Sequence, residues 1–476
     1  MRRISSRSEK VILPQALNSA SFPRQPRDNP VNQRRPVVRF LYNVIFNIGF
    51  ALSAPFYFLR MWRRGNWREG FGQRFARYDG KFKQSLTNRT RLWFHAVSVG
   101  EVNVCTQLIK AIEARAPLVK IIVSTTTSTG MAELKRKLPS HITKMYFPID
   151  RRKTVRHAFK VIRPEVIVLM EAEIWPNFLW RARDVGIPVF LVNARLSESS
   201  FRGYRQWRLL FRPIFRSFRG IGCQNDADAK KLVQLGGRPE RVHVVGNLKF
   251  DAAKLDEQRM LDVPRMLRQL GVPAEAPVLV AGSTHAGEEK ILGEIYLRLR
   301  ARFPGLFLIV VPRHFERGKQ AATDLAASGL KVTYRSEVTP ATERRPGEVD
   351  VLLVNTTGEL RYFYEAATLV FVGKSLTAEG GQNPIEPGAL GKPIVFGPNM
   401  QNFEAISSLL LSRGGAVQVR DAAELEAALM DLLANPPRAR EIGQNALAVI
   451  RENLGAIERT MQMILDALPE AKLRAE

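Results

Sequence analysis

From residue 90 onward the chain repeats one rhythm: a run of four to eight apolar residues, then an amphipathic stretch long enough for a helix. Runs rich in Val, Ile and Leu on both faces are strands buried on both sides. Strands that alternate with helices build parallel α/β units. The expected strands of a first series are Leu92–Val99, Lys120–Thr125, Val166–Met170, Pro188–Val192 and Val242–Val245. A second series comprises Pro277–Ala281, Leu306–Val311, Asp350–Val354, Leu369–Val372 and Pro393–Phe396. Between them, 251–276 has no strand signal and contains Pro264 and Pro273, which reads as a linker. The sequence therefore predicts an α/β protein of two Rossmann-like, doubly wound domains, 91–250 and 277–476 with its terminal helices. Ligands of such sheets bind at the carboxyl ends of the strands, here in a cleft between the domains.

The region before residue 90 is different. Of the net charge of +27, a net +14 lies in residues 1–90, which hold 18 Lys/Arg and 4 Asp/Glu. Residues 1–39 mix Arg, Ser, Pro, Asn and Gln and read as a disordered basic arm without a cleavable signal. From Phe40 to Leu59 no residue is charged, and arginines flank both sides, so 40–90 reads as a membrane-anchoring helix with a basic collar. Asn43, Asn47, Gly49 and Pro55 leave open whether the helix spans, lies in the interface, or is a core helix. Trp62, Trp67 and the following arginines suit an anionic membrane leaflet. Two cysteines, Cys105 and Cys223, without C-x-x-C spacing, give neither a disulfide framework nor a thiolate zinc site.

Polar residues gather where strands end. In WFHAVSVGE a strand is expected to end at Val99 and Glu101 to open a helix, as a cap or as a catalytic carboxylate. In VLMEAEIWPN a buried strand delivers Glu171 and Glu173. If the strand continues they share a face and need a cationic partner or a shared proton; if it stops near Glu171, only one of them need face the cleft, and a structural ion pair fits as well as a catalytic one. VVGNLKFD puts Lys249 before the linker, where it is an exposed lysine or a cation for a leaving phosphate. In the second half, LVAGSTHAGEE brings Ser283, Thr284 and His285 ahead of a helix, as caps or as an anion site. VPRHFER offers Arg313 and His314, VNTTGEL offers Thr357, Gly358 and Glu359, and GGQNPIEP offers Gly380 and Gly381, then Asn383 and Pro384 at a helix start with Glu386 just inside. A nucleotide on the second domain facing an acceptor and a base on the first is the pattern these clusters form.

No G-x-x-x-x-G-K-[ST] and no H-E-x-x-H occur, against a P-loop ATPase or a zincin. Asp226-Ala-Asp228 has a metal-binding form but opens a helical pattern and is read as capping, so no metal or cofactor is expected.

Taken in order, HAVSVGE, MEAEIWPN, VNARLSESS, GNLKFD, GSTHAGEE, VPRHFER, TTGEL and GGQNPIEP resemble the bacterial 3-deoxy-D-manno-octulosonic acid (Kdo) transferase family. The resemblance implies a GT-B architecture and inverting, metal-free transfer of Kdo from CMP-Kdo to lipid A precursor (lipid IVA) at the cytoplasmic face of the inner membrane. By motif identity it implies that Glu101 is the general base and that Glu171 and Lys249 stabilise the transition state. It places CMP against Pro312, Arg313, Thr357, Gly358, Glu359, Asn383, Pro384, Ile385 and Glu386. Gln382 stands where many relatives show His. The nearest alternative is another GT-B lipid glycosyltransferase or a nucleotide-sugar epimerase using a UDP-sugar. A basic nucleic-acid-binding protein is the alternative of another class, and no recognition motif in the globular part supports it.

Overall fold

The computed structural model describes residues 35–63, 69–86, 90–253 and 261–468. Most of the expected basic arm, Arg64, Trp67, Arg68 and the middle of the expected linker lie outside the described residues.

Two seven-stranded sheets form the globular part, and all their strand pairs are parallel. In the first, β1 is Arg91–His95, β2 Lys120–Thr125, β3 Thr143–Tyr146, β4 Val166–Met170, β5 Val189–Ala194, β6 Gly220–Cys223 and β7 Val242–Val244. Their order is β3-β2-β1-β4-β5-β6-β7. In the second, β8 is Val278–Thr284, β9 Phe307–Pro312, β10 Val332–Tyr334, β11 Val351–Leu353, β12 Leu369–Val372, β13 Ile394–Phe396 and β14 Val417–Gln418. Here the order is β10-β11-β9-β8-β12-β13-β14. Each sheet is doubly wound. The winding reverses between β1 and β4 in the first and between β8 and β12 in the second, which are the points where such sheets open a ligand crevice.

The apolar runs explain the layers. Residues of β4 (VIVLM) are all buried because helices cover both faces of the sheet. One face of the first sheet packs Leu92, Phe94, Val168 and Val192 against Val102, Leu108 and Ile109 of the helix Val99–Arg115. The other face is aromatic: Trp93 meets Phe178 edge-on at 4.9 Å, and Phe147 and Phe159 complete the group.

Two boundaries differ from the sequence expectation. The first strand stops at His95, and Ser98 caps a helix that begins at Val99, so Glu101 is the third residue of that helix rather than its first. The last helix, Ala456–Leu465, belongs with the first sheet: Ala456, Met461, Ile464 and Leu465 enter its core. Length alone does not show this return, since the helix has the same apolar stripe whichever sheet it covers. Asp251 anchors it, accepting N–H bonds from Gly455 at 2.7 Å and Ile457 at 2.5 Å. Within 261–276 the helix Val263–Gln269 packs Val263, Met266 and Leu267 into the core of the second sheet.

Before the sheets, one helix runs from Arg35 to Arg63. Its segment Pro36–Leu59 is long and apolar enough to cross a membrane and none of it is buried. The side-chain amides of Asn43 and Asn47 donate to the carbonyls of Arg39 and Asn43, each at 2.7 Å, so both amides are served within the helix itself.

Asp251→Ala strips a buried carboxylate from two N–H groups at a helix start and should lower stability by about 1–3 kcal/mol. Urea unfolding of the purified protein measures it, and Asp251→Ala with an unchanged midpoint contradicts the anchoring role.

Candidate active site

The crevice of the first sheet collects residues from three strand ends. Ser98 Oγ accepts the N–H of Glu101 at 3.1 Å. In return the Glu101 carboxylate accepts the N–H groups of Val97 at 3.0 Å and Ser98 at 3.3 Å, a complete capping box. The ordinary reading of Glu101 as a cap is therefore real. It also fixes both carboxylate oxygens at the mouth of the crevice, where each keeps lone-pair capacity for a substrate proton.

Glu171 follows β4 immediately, in the left-handed region at φ 54, with its N–H bonded to the carbonyl of Val192 at 2.9 Å. That conformation is unfavourable for a residue with a Cβ and persists because β4 and β5 hold both sides of the turn. Burial and then the charge of Glu101 raise the Glu171 pKa, while Lys249 and Arg195 oppose them. The two carboxylates of EAE, Glu171 and Glu173, are not equivalent. Lys249 and Arg195 act on Glu171, whereas Glu173 accepts a hydrogen bond from Trp175 Nε1 at 2.9 Å and is pushed by burial, and by Glu101, up to about 7.

Lys249 joins the halves. Its ammonium donates to the carbonyl of Asn402 at 3.2 Å and lies 5.3 Å from the centre of the Phe403 ring, both in the loop after β13. Burial lowers its pKa, and Glu171 and Glu101 pull the other way. It is thus half-buried between the domains and not an exposed linker residue. A chain of amides that the sequence reading did not single out positions it. Asn193 Oδ1 accepts the N–H of Leu248 at 3.1 Å, Gln224 donates to the carbonyl of Asn193 at 3.1 Å, and Asn247 donates to Gln224 at 3.0 Å and accepts the Lys249 N–H at 3.0 Å. Nothing in their spacing distinguishes Asn193, Gln224 or Asn247 from ordinary turn residues, since they meet only through β5, β6 and β7.

In the second sheet, Ser283 stands near the end of β8 at φ 57, also left-handed. The helix after it starts at Glu288 behind Gly287, so Ser283 and Thr284 do not cap it. Fully buried Glu288 accepts four N–H groups: His285 at 2.8 Å, Lys374 at 2.8 Å, and Ser375 and Leu376 at 3.0 Å. A protein carboxylate thus takes the His285 N–H that looked available to a ligand anion, and ties the turn after β8 to the turn after β12 across the crevice. Thr284 Oγ1 donates to Glu289 at 2.9 Å, which Arg317 also pairs.

Around that turn lie the remaining candidates. Pro312 ends β9, with Arg313 and His314 exposed just beyond it. Thr357 and Gly358 are exposed, while Glu359 is held by Arg335 at 3.2 Å and by Thr356. Gly380 and Gly381 have φ 118 and 65, and a Cβ on Gly381 would sit 2.5 Å from Met400 Sδ. Pro384 is the N-cap residue of the short helix Ile385–Ala389, and Asn383 accepts the Ile385 N–H at 3.1 Å and donates to Glu386 at 3.1 Å. Glu386 is largely buried, which raises its pKa, and Asn383, Arg361 and Arg313 counter that. The charge of Arg313 is thus felt at Glu386. Asp226 and Asp228 open a helix capped by Asn225, and buried Asp228 accepts the Leu196 N–H at 3.0 Å. Among the described residues no group of three His, Cys, Asp or Glu is placed to hold a metal ion.

Residues 69–252 match the family model of 3-deoxy-D-manno-octulosonic-acid transferase (kdotransferase). A 3-deoxy-D-manno-octulosonic acid transferase of Bordetella pertussis is 33% identical over 443 residues, covering 89% of this chain and 99% of the relative. The chain belongs to the Kdo transferase family. Its counterpart in Haemophilus influenzae is 29% identical, covering 90% of this chain and 98% of the relative. Kdo transferases are glycosyltransferases, and the two doubly wound sheets are those of the GT-B fold. A UDP-GlcNAc 2-epimerase of Neisseria meningitidis shares that fold, with a TM-score of 0.52 and 14% identity, covering 79% of this chain and all of that one.

Glu288→Ala leaves four N–H groups of the crevice without their acceptor and should destabilise the transferase by at least about 3 kcal/mol. Thermal unfolding of the variant reads this loss, and an unaltered transition excludes Glu288 as the tie between the two turns.

Proposed function

We propose that the protein transfers Kdo from CMP-Kdo to a hydroxyl of lipid A precursor (lipid IVA), with inversion, at the cytoplasmic face of the inner membrane. One observation carries the reading: at the strand ends of the first sheet the charges of Glu101, Glu171 and Lys249 act on one another, and Lys249 reaches the second sheet's loop at Asn402. Family membership supports the sugar.

In this mechanism Glu101 accepts the proton of the acceptor hydroxyl as the oxygen attacks the anomeric carbon of Kdo, and the bond to the CMP phosphate oxygen breaks on the opposite side. The two N–H bonds to its carboxylate hold the base in place before the substrate arrives. Lys249, offset by Glu171, supplies positive charge where the phosphate departs. CMP lies on the second domain, its phosphate toward Arg313. Thr357, Gly358, Glu359, Asn383, Pro384, Ile385 and Glu386 surround the nucleoside, with Glu386 suited to ribose hydroxyls. Ser283, His285, His314, Gly380 and Gly381 line the same side. The helix of Arg35–Arg63 and the basic residues beside it anchor the protein to an anionic leaflet, where a lipid acceptor resides.

Gln at position 101 keeps an oxygen for the capping box but cannot take a proton. Glu101→Gln should therefore retain the fold and CMP binding and lose transfer by about 10²–10⁴-fold. Mass spectrometry of lipid IVA after incubation with CMP-Kdo reads the product and counts the sugars, and an unmodified lipid with wild-type enzyme refutes the assignment. CMP should inhibit and UDP should not; the reverse pattern selects a UDP-sugar enzyme. Deleting residues 1–60 should move the protein from the membrane to the soluble fraction, and an unchanged distribution assigns the anchor elsewhere.

A further inference from the structure

Transfer as described leaves one carboxylate of the pocket without a task, Glu173. Its neighbour is His95, the last residue of β1, fully buried and stacked on Phe147 with ring centres 3.8 Å apart. His95 Nδ1 lies 3.1 Å from the carbonyl of Ser124 and 3.0 Å from its hydroxyl. A carbonyl can only accept, and the Ser124 hydroxyl gives its own proton to the Phe94 carbonyl at 3.1 Å while accepting Trp93 Nε1 at 2.8 Å. Nδ1 therefore carries the ring proton. Nε2 is left as a bare lone pair, buried and without a hydrogen-bond partner, 3.9 Å from Glu173 Oε2.

An ionised Glu173 would set lone pair against lone pair there, beside a ring nitrogen that is itself shut off from water. A protonated one sets a donor against an acceptor. The histidine cannot supply the proton, because burial pushes its own pKa down to about 3. We propose that Glu173 works in its acid form as a positioning residue for Glu101. Its proton faces the His95 lone pair, and losing that proton places a second uncompensated charge beside Glu101 and the anionic donor.

The groups around Glu173 agree with this. Glu101 from the helix after β1 and Glu171 from its own turn disfavour its charge, and Tyr204 of the helix Glu198–Gln206, itself pushed up to about 12, stays neutral beside it. Among the described residues only the Trp175 indole N–H favours the carboxylate, and the nearby cations Lys249 and Arg195 act on Glu171 instead. The pocket thus offsets one extra carboxylate with a cation and the other with a proton, leaving Glu101 as the available base. With burial holding the Glu173 pKa near 7, transfer is supported below that pH and declines above it.

This inference rests on the proposed Kdo transfer, and two readouts keep the two apart. In the first, kcat/KM for CMP-Kdo with lipid IVA is followed from about pH 5.5 to about pH 9 in wild type and Glu173→Gln, which stays neutral at every pH. The wild type should show an alkaline limb falling about tenfold per pH unit. Glu173→Gln should stay within about threefold of wild type on the acid side and lack the limb. A limb that persists in Glu173→Gln, or a loss beyond about tenfold on the acid side, overturns the proposal. In the second, infrared difference spectra of wild type against Glu173→Gln, without substrate, should show a protonated-carboxyl C=O band below neutral pH that fades as pH rises. Its absence overturns the proposal independently of activity. A wild type that makes no Kdo product refutes the transferase reading alone, and the infrared band then decides the state of Glu173.

Discussion

Parallel pairing is the constraint on which the rest of this molecule depends. When every strand of a sheet runs the same way, each must be followed by a helix that carries the chain back, and every strand-to-helix turn emerges on one edge. Residues separated by 70 or more positions, such as Glu101 and Glu171, thereby become neighbours without any local signal that they should be. The switch points select among the turns. In the first sheet the reversal lies between β1 and β4, whose turns carry Glu101, Glu171 and Glu173. In the second it lies between β8 and β12, whose turns are joined by Glu288.

Placing so many polar groups on one buried edge creates an electrostatic problem that is solved differently in the two sheets. In the second, a fully buried carboxylate is satisfied by backbone N–H groups, four of them on Glu288, and becomes a structural tie. In the first, carboxylates remain only partly satisfied. Glu101 is held by two N–H groups, Glu171 is opposed by Lys249 and Arg195, and Glu173 has an indole N–H and a histidine lone pair. Partly satisfied charge in a crevice is the condition under which proton affinity responds to a substrate, which is why the same residue type is scaffold in one half and is proposed for the chemistry in the other.

What the sequence showed and what it hid follow from the same physics. Apolar runs buried on both faces are legible, and ten strands lie where such runs are. The four unread strands are short or weak in β-branched residues: β3 (TKMY), β6 (GIGC), β10 (VTY) and β14 (VQ), three of them at a sheet edge and β6 next to one. They gain their pairing from a neighbour rather than from their own composition. Glu101, Glu171 and Lys249 were legible as polar residues at strand ends. His95 was not, because it lies within the apolar run of β1 and reads as one more core position. The amide chain from Asn193 to Asn247 was also hidden, since it exists only once β5, β6 and β7 stand side by side. Of the two carboxylates of EAE, Glu171 has Lys249 and Arg195 acting on it, whereas among the described residues no cation acts on Glu173.

The capping box around Glu101 bears on how a base works at such a place. A free glutamate has three side-chain torsions to settle before it can receive a proton, and ordering them costs free energy at the moment of reaction. Here that ordering happens on folding. Ser98 fixes the first turn, the N–H groups of Val97 and Ser98 fix the carboxylate plane, and the helix behind them is locked into the core by Val102, Leu108 and Ile109. Cap and proposed base are then one arrangement. The helix start needs an acceptor at that position for its own orphan N–H groups, and the reaction needs an acceptor whose direction is already set. Such a site would gain its effectiveness from placement: the edge of the first sheet places the proposed base, and the corresponding edge of the second gathers the residues proposed to hold the donor.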